Sequence, residues 1–133
     1  MGCPRIVVAD DNPEMRQRVA KLLQSNFDVV SSVADGKQAI ESALTLSPDV
    51  LITDISMPVL NGLQVASRLR VLGSTAKVIF LTVHEDSDYM EAAFAIGAVG
   101  YILKPRITTD LIPAILQALQ GNRFTSHLST PHV

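Results

Sequence analysis

The sequence predicts an α/β fold, a five-stranded parallel sheet with helices on both faces, on three observations. Short apolar runs alternate five times with longer stretches whose apolar residues recur at helical spacing, the pattern of strand–helix–strand units. One of those runs, Val50-Leu51-Ile52-Thr53, is apolar almost throughout, as in a strand buried on both faces. Acids, a hydroxyl and an amine stand where four of the five strands end, the edge at which open α/β sheets bind ligands.

Ile6 to Ala9 is the first strand. Met15, Val19, Leu22 and Leu23 then mark a helix, with Asn12 as its N-cap and Pro13 in its first turn. Val29 to Val33 is the second strand, and Ala39, Ile40, Ala43 and Leu44 stripe a helix that ends before Pro48. Val50 to Thr53 is followed by a loop with Pro58 and Gly62, then by a helix on Val65, Ala66, Leu69 and Leu72 that Gly73 closes. Val78 to Leu81 is the fourth strand, Ser87 to Ile96 an alanine-rich helix, and Tyr101 to Leu103 a short fifth strand. Ile112, Ile115, Leu116 and Leu119 line a last helix that stops at Gly121, and the polar tail from Phe124 to Val133 is expected to be loose.

With 133 residues and 47% apolar composition, the chain suits one domain with one core. Cys3 is the single cysteine, which excludes an internal disulfide and fits a reducing compartment. The net charge of −2 and the lack of a basic block argue against nucleic-acid binding by this segment. No apolar run approaches the ~20 residues of a membrane span, and nothing at the N-terminus resembles a secretion signal. The expected location is cytoplasmic.

The strand-end residues are Asp10 and Asp11, Asp54, Thr82 and Lys104. Any one Asp in such a place is often only a cap or turn residue; four decorated strand ends together are harder to dismiss. Clustered carboxylates repel one another unless a cation joins them. Hard oxygen ligands with water favour Mg²⁺, with Mn²⁺ able to substitute. A divalent ion and an ammonium can neutralise an incoming phosphoryl group, a hydroxyl can bind one of its oxygens, and Asp54 can act as the nucleophile. If the third and fifth strands flank the fourth, ~10 Å separates Asp54 from the fifth strand, and only a side chain as long as that of Lys104 can bridge it.

Val8-Ala9-Asp10-Asp11-Asn12, Asp54-Ile55-Ser56-Met57-Pro58 with Asn61-Gly62, Leu81-Thr82, and Tyr101-Ile102-Leu103-Lys104-Pro105 together resemble the signatures of response-regulator receiver domains, in order and from about Arg5 to Gly121. The resemblance implies a flavodoxin-like sheet in the order 2-1-3-4-5. It implies that Asp54 accepts phosphate from a histidine kinase or phosphotransfer protein. Asp11, Asp54 and the Ser56 backbone carbonyl would bind Mg²⁺ directly, and Asp10 would assist through water. Thr82 and Lys104 would hold the phosphoryl oxygens, Thr82 and Tyr101 would form the switch, and the Lys104–Pro105 bond would be cis. The stretches Gly97 to Lys104 and Gln120 to Phe124 look most like receivers joined to a helix-turn-helix output domain. Residues 1–121 are thus expected to be the receiver, and 122–133 a tail or the start of a linker to an output domain that this chain lacks. A homodimer on phosphorylation is a further partner the resemblance allows.

Ser56, Val83 and His84 occupy positions that vary across receivers and flank the site, so they are expected to tune the lifetime of the phosphorylated state. The histidines show no metal-ligand spacing and are expected in solvent. Arg16, Arg18 and Lys21 read as a solvated helix face. The competing readings are a stand-alone or phosphorylation-independent receiver acting as a protein-binding module, a dehalogenase-type phosphatase, and a flavodoxin. The phosphatase needs an acid two positions after its nucleophile, where this chain has Ser56 or Asn12. The flavodoxin needs a phosphate loop where Asp10 and Asp11 would repel phosphate. The chain is thus expected to be a switch rather than an enzyme, catalysing only its own phosphorylation and dephosphorylation.

Overall fold

A computed structural model, which describes residues 2–127, places six strands in one parallel sheet. The strands are β1 (Arg5–Ala9), β2 (Asp28–Val33), β3 (Val50–Asp54), β4 (Lys77–Thr82), β5 (Gly100–Leu103) and β6 (Phe124–Thr125), in the order β2-β1-β3-β4-β5-β6. The first five reproduce the flavodoxin-like order, and each pairing is parallel. Between them run α1 (Pro13–Leu23), α2 (Gly36–Leu46), α3 (Gly62–Val71), α4 (Ser87–Ala95) and α5 (Ile107–Leu119).

Alternation along the strands splits the core into two layers. Ile6, Val8, Val50 and Ile52 pack with Val19 and Leu23 of α1 and Leu111 and Ile115 of α5. Val7, Ala9, Leu51 and Phe80 pack on the other face with Ala39 of α2, Val65 and Leu69 of α3, and Ala93 of α4. Each fully buried large side chain contributes roughly 1.5–3 kcal/mol, which outweighs local signals where they conflict. Thus α5 runs through Pro113, ordinarily a helix breaker, because Ile107, Leu111, Ala114, Ile115 and Ala118 are buried against the sheet.

Caps fix where the helices begin. The Asn12 side chain accepts the N–H groups of Glu14 and Met15, and Asn61 and Gln64 form a reciprocal capping box at the start of α3. The second helix stops at Ser47, which takes φ 47° just before Pro48.

Two expectations fail. The chain after Gly121 is not loose at first: Phe124 N–H donates to Val99 O (2.8 Å) and Ser126 N–H to Tyr101 O (2.9 Å), making β6 against β5. A two-residue strand leaves no periodicity to detect; what selects it is the row of unpaired backbone groups on the open edge of β5. The packed unit therefore extends past the expected boundary at Gly121, while residues 128–133 lie outside the described residues. The Lys104–Pro105 bond is trans, since no described residue has a cis peptide bond. Pro105 sits in the first turn of a 3₁₀ segment, Lys104–Arg106, where its fixed φ and missing N–H are suited. Trans is the lower-energy form by ~0.5–1 kcal/mol, and Lys104 reaches the acids from it.

Candidate functional site

The C-terminal ends of β1, β3 and β5 deliver the charged groups to one edge of the sheet. Asp54 is the last residue of β3 and pairs in register with Leu81 of β4, while Thr82 pairs with Leu103 of β5. Lys104 leaves β5, passes the end of β4, and sets its Nζ 3.0 Å from Asp54 Oδ2 and 2.9 Å from Asp10 Oδ2. Asp10 is fully buried and Asp54 is 6% exposed, whereas Asp11 is open to solvent. Asp10, Asp11 and Asp54 each offer an oxygen within 4.8 Å of the others.

Backbone donors take one oxygen of each buried acid. Asn12 N–H donates to Asp10 Oδ1 (2.9 Å), and Ser56 N–H to Asp54 Oδ1 (3.2 Å). Asp10 Oδ2 is buried without a hydrogen bond of good geometry; its partner is the Lys104 ion pair alone. A buried carboxylate oxygen in that condition, beside two further carboxylates, fits a cation. The all-oxygen donor set suits Mg²⁺.

The electrostatics follow from two buried anions sharing one ammonium. Burial pushes the Asp54 carboxyl up, the hydrogen bond and attraction of Lys104 pull it down, and repulsion from Asp10 adds to the upward push; the net direction is up. Burial pulls the Lys104 ammonium down, but its close contacts with Asp10 and Asp54 and the attraction of both raise it overall. The two directions are compatible, since the lysine faces two opposite charges and Asp54 faces one of each sign.

The loop after Asp54 is held by close backbone contacts. Gly62 N–H donates to Ile55 O at 2.7 Å. A Cβ on Gly62 would lie 2.2 Å from Asp54 O, so only glycine lets α3 start there. At the loop tip Leu60 N–H donates to Pro58 O across Val59, which takes φ 72°. A positive φ at a β-branched residue is strained.

Thr82 is fully buried, and its Oγ1 accepts the His84 N–H at 3.0 Å. Tyr101 is also fully buried and donates its hydroxyl to His84 O at 2.8 Å. Burial pushes this phenol up to about 12, with the Thr82 hydroxyl pulling the other way. His84, expected to flank the site and to reach solvent, is half-buried: it stacks on Tyr89 of α4 at 4.3 Å between ring centres, with Nε2 3.4 Å from Ser56 Oγ. Val83 lies apart from that rim: it is 67% exposed and lines a depression with Leu103, Pro105 and Arg106.

Sequence reasoning missed Arg16 and Tyr89. Arg16 donates to Asp10 O at 2.6 Å, bracing the acid-pair turn rather than lying on a solvated face. Tyr89 carried no signal, because its partner His84 is fixed by the turn at Thr82.

Residues 6–116 match the family model of the response regulator receiver domain. The chain is 34% identical over 128 residues to the nitrate/nitrite response regulator protein NarL of Escherichia coli (strain K12), covering 95% of this chain and 59% of that protein. It is 37% identical over 124 residues to the uncharacterized transcriptional regulatory protein YvfU of Bacillus subtilis (strain 168), covering 92% and 62%. The chain thus spans about three-fifths of the length of these relatives. Among solved structures, a LuxR-family two-component response regulator of Aurantimonas sp. SI85-9A1 superposes with a TM-score of 0.87 at 28% identity, over 92% of this chain and 89% of that one. The isolated REC domain of RcsB from Salmonella enterica serovar Typhimurium, solved with the phosphomimetic BeF3-, gives 0.86 at 26% identity, over 95% of each chain. The fold, the strand-end acids and these matches together show that the chain belongs to the response regulator receiver domains, the signalling modules of two-component systems.

Proposed function

We propose that the chain is a phosphorylation-dependent switch in which Asp54 is the phosphoacceptor. The observation that carries this reading is the Lys104 ammonium held between the carboxylates of Asp10 and Asp54 at a mouth that also holds Asp11. An Asp54 oxygen forms the new bond to phosphorus as the donor's bond to phosphorus breaks and its electron pair leaves with the donor. The donor is a phosphohistidine on a histidine kinase or phosphotransfer protein, or acetyl phosphate in vitro. Asp11, Asp54 and the Ser56 carbonyl would hold Mg²⁺, with Asp10 assisting. Bound there, the metal supplies positive charge against the phosphoryl oxygens. Lys104 supplies the second positive charge from the β5 side, and Thr82 turns its hydroxyl toward a phosphoryl oxygen. That turn gives up its bond to the His84 N–H, which links the phosphate to the segment that also accepts the Tyr101 hydroxyl. Phosphate thereby biases the face made by α4, β5 and α5.

Both relatives are longer than this chain, and one of them is named as a transcriptional regulatory protein. In the complete protein the receiver is followed, in this reading, by a DNA-binding output domain. Incubation with acetyl phosphate and Mg²⁺ should add one phosphoryl mass to the intact protein, and Asp54→Asn should abolish the addition. Phosphorylation of Asp54→Asn to the parental extent would overturn the assignment. A parent that takes no phosphate would instead favour the reading as a phosphorylation-independent binding module.

A further inference from the structure

The turn that carries Lys104 is tied at both ends to one carboxylate. Leu103 N–H, immediately before Lys104, donates to Ser126 Oγ at 3.1 Å. Ser126 Oγ in turn donates to Asp110 Oδ2 at 2.7 Å. Arg106, two residues after Lys104, donates its Nε to the same Asp110 oxygen at 3.0 Å, and Thr109 Oγ1 donates to Asp110 Oδ1 at 3.0 Å. Ser126 is 1% exposed and Asp110 8% exposed, so the two Ser126 bonds are shielded from water, while the Arg106 and Thr109 bonds to Asp110 lie nearer the surface.

The need for this arrangement is visible in the sheet. The register of β6 on β5 covers Gly100 and Tyr101 only. Leu103 is buried at 4% exposure, two residues beyond the last strand pair, and its N–H points at the uncovered edge. A buried N–H without an acceptor is costly, and the Ser126 hydroxyl takes the place of the missing strand. The segment is further fastened by Arg123, whose guanidinium lies 5.0 Å over the Phe94 ring of α4.

We propose that Ser126 and Asp110 are positioning residues for Lys104: they fix the Leu103–Arg106 turn so that the ammonium stands where it meets the phosphoryl group. The inference rests on the phosphoacceptor reading. It makes the residue that follows β6 part of the phosphate-binding apparatus, acting through Leu103 and Asp110. A displacement of about 1 Å in a positioned group is enough to cost on the order of 100-fold in function, so a loosened turn has a measurable effect.

The test is the binding of beryllofluoride, in excess Mg²⁺, to the parent, Ser126→Ala, Asp110→Asn, Lys104→Ala and the Lys104→Ala/Ser126→Ala double variant. Mg²⁺ binding alone is measured in parallel. Ser126→Ala and Asp110→Asn should each weaken beryllofluoride binding about 10-fold without weakening Mg²⁺ binding. In the Lys104→Ala background, Ser126→Ala should add nothing, because the group it positions is gone. A purely structural role would lower melting temperature and leave beryllofluoride binding alone, or would weaken it equally in both backgrounds; either result overturns the proposal. Asp110→Asn retains an acceptor for Ser126, so it provides the reading if Ser126→Ala does not fold. A parent that binds no beryllofluoride overturns the phosphoacceptor reading; a parent that binds it while both single variants match it overturns the brace alone.

Discussion

The Nζ of Lys104 stands 3.0 Å from Asp54 Oδ2 although the two residues leave strands separated by the whole width of β4. The same ammonium is 2.9 Å from Asp10, so it offsets two buried negative charges at once and competes for the oxygens a metal would take. Lys104→Met should therefore bind Mg²⁺ more tightly than the parent while binding beryllofluoride measurably more weakly. Titration calorimetry checks both; weaker Mg²⁺ binding in the variant would show that the lysine does not compete with the metal.

The two shifted acids predict opposite pH behaviour. Asp54 is raised in the fold, chiefly by burial. Its contribution to stability is complete below the ordinary carboxylate value near ~4 and is lost as pH rises through the folded value. At neutral pH ionised Asp54 thus weakens the fold, and Asp54→Asn should melt a few degrees higher than the parent, a gain that vanishes in acid.

Asp110 is lowered: burial works against it, but the hydrogen bonds from Ser126, Arg106 and Thr109 outweigh that. Its contribution is present above ~4 and is lost as pH falls through the folded value. Asp110→Asn should cost about 1–3 kcal/mol at neutral pH, with the difference closing in acid. Urea denaturation from neutral to acid pH measures both variants; the same sign for the two at neutral pH would contradict this account.

Val59, with φ 72° and its side chain 70% exposed, holds backbone strain without compensating burial. Replacing it by Asn, which tolerates that region, should stabilise the chain by about 1 kcal/mol. An unchanged denaturation midpoint for Val59→Asn would mean that the loop relaxes the strain elsewhere.

His84 bridges the rim of the site between Ser56 and Tyr89. In the phosphoacceptor reading, water that attacks the phosphoryl group opposite Asp54 would approach past this rim. His84→Ala and Tyr89→Ala should each shorten the lifetime of the phosphorylated state severalfold, read by intact mass over time. Parental decay in both variants removes the rim from control of the lifetime.

The sequence by itself determined the five strand–helix units, the cap at Asn12, and the acids, hydroxyl and amine at the strand ends. Those features are local: periodicity, a capping side chain or a residue at the end of an apolar run is written within a few neighbours. The reach of Lys104 to Asp54 was also legible, because strand spacing is a constant of sheet geometry. Tertiary structure alone decided what depends on partners distant in sequence. The open edge of β5 recruits Phe124 and Thr125 and makes Ser126 a buried acceptor. The turn after Thr82 carries His84 to Ser56 and Tyr89. Asp110 meets Arg106 and Ser126 because α5 packs it there, beside residues distant in sequence from one another.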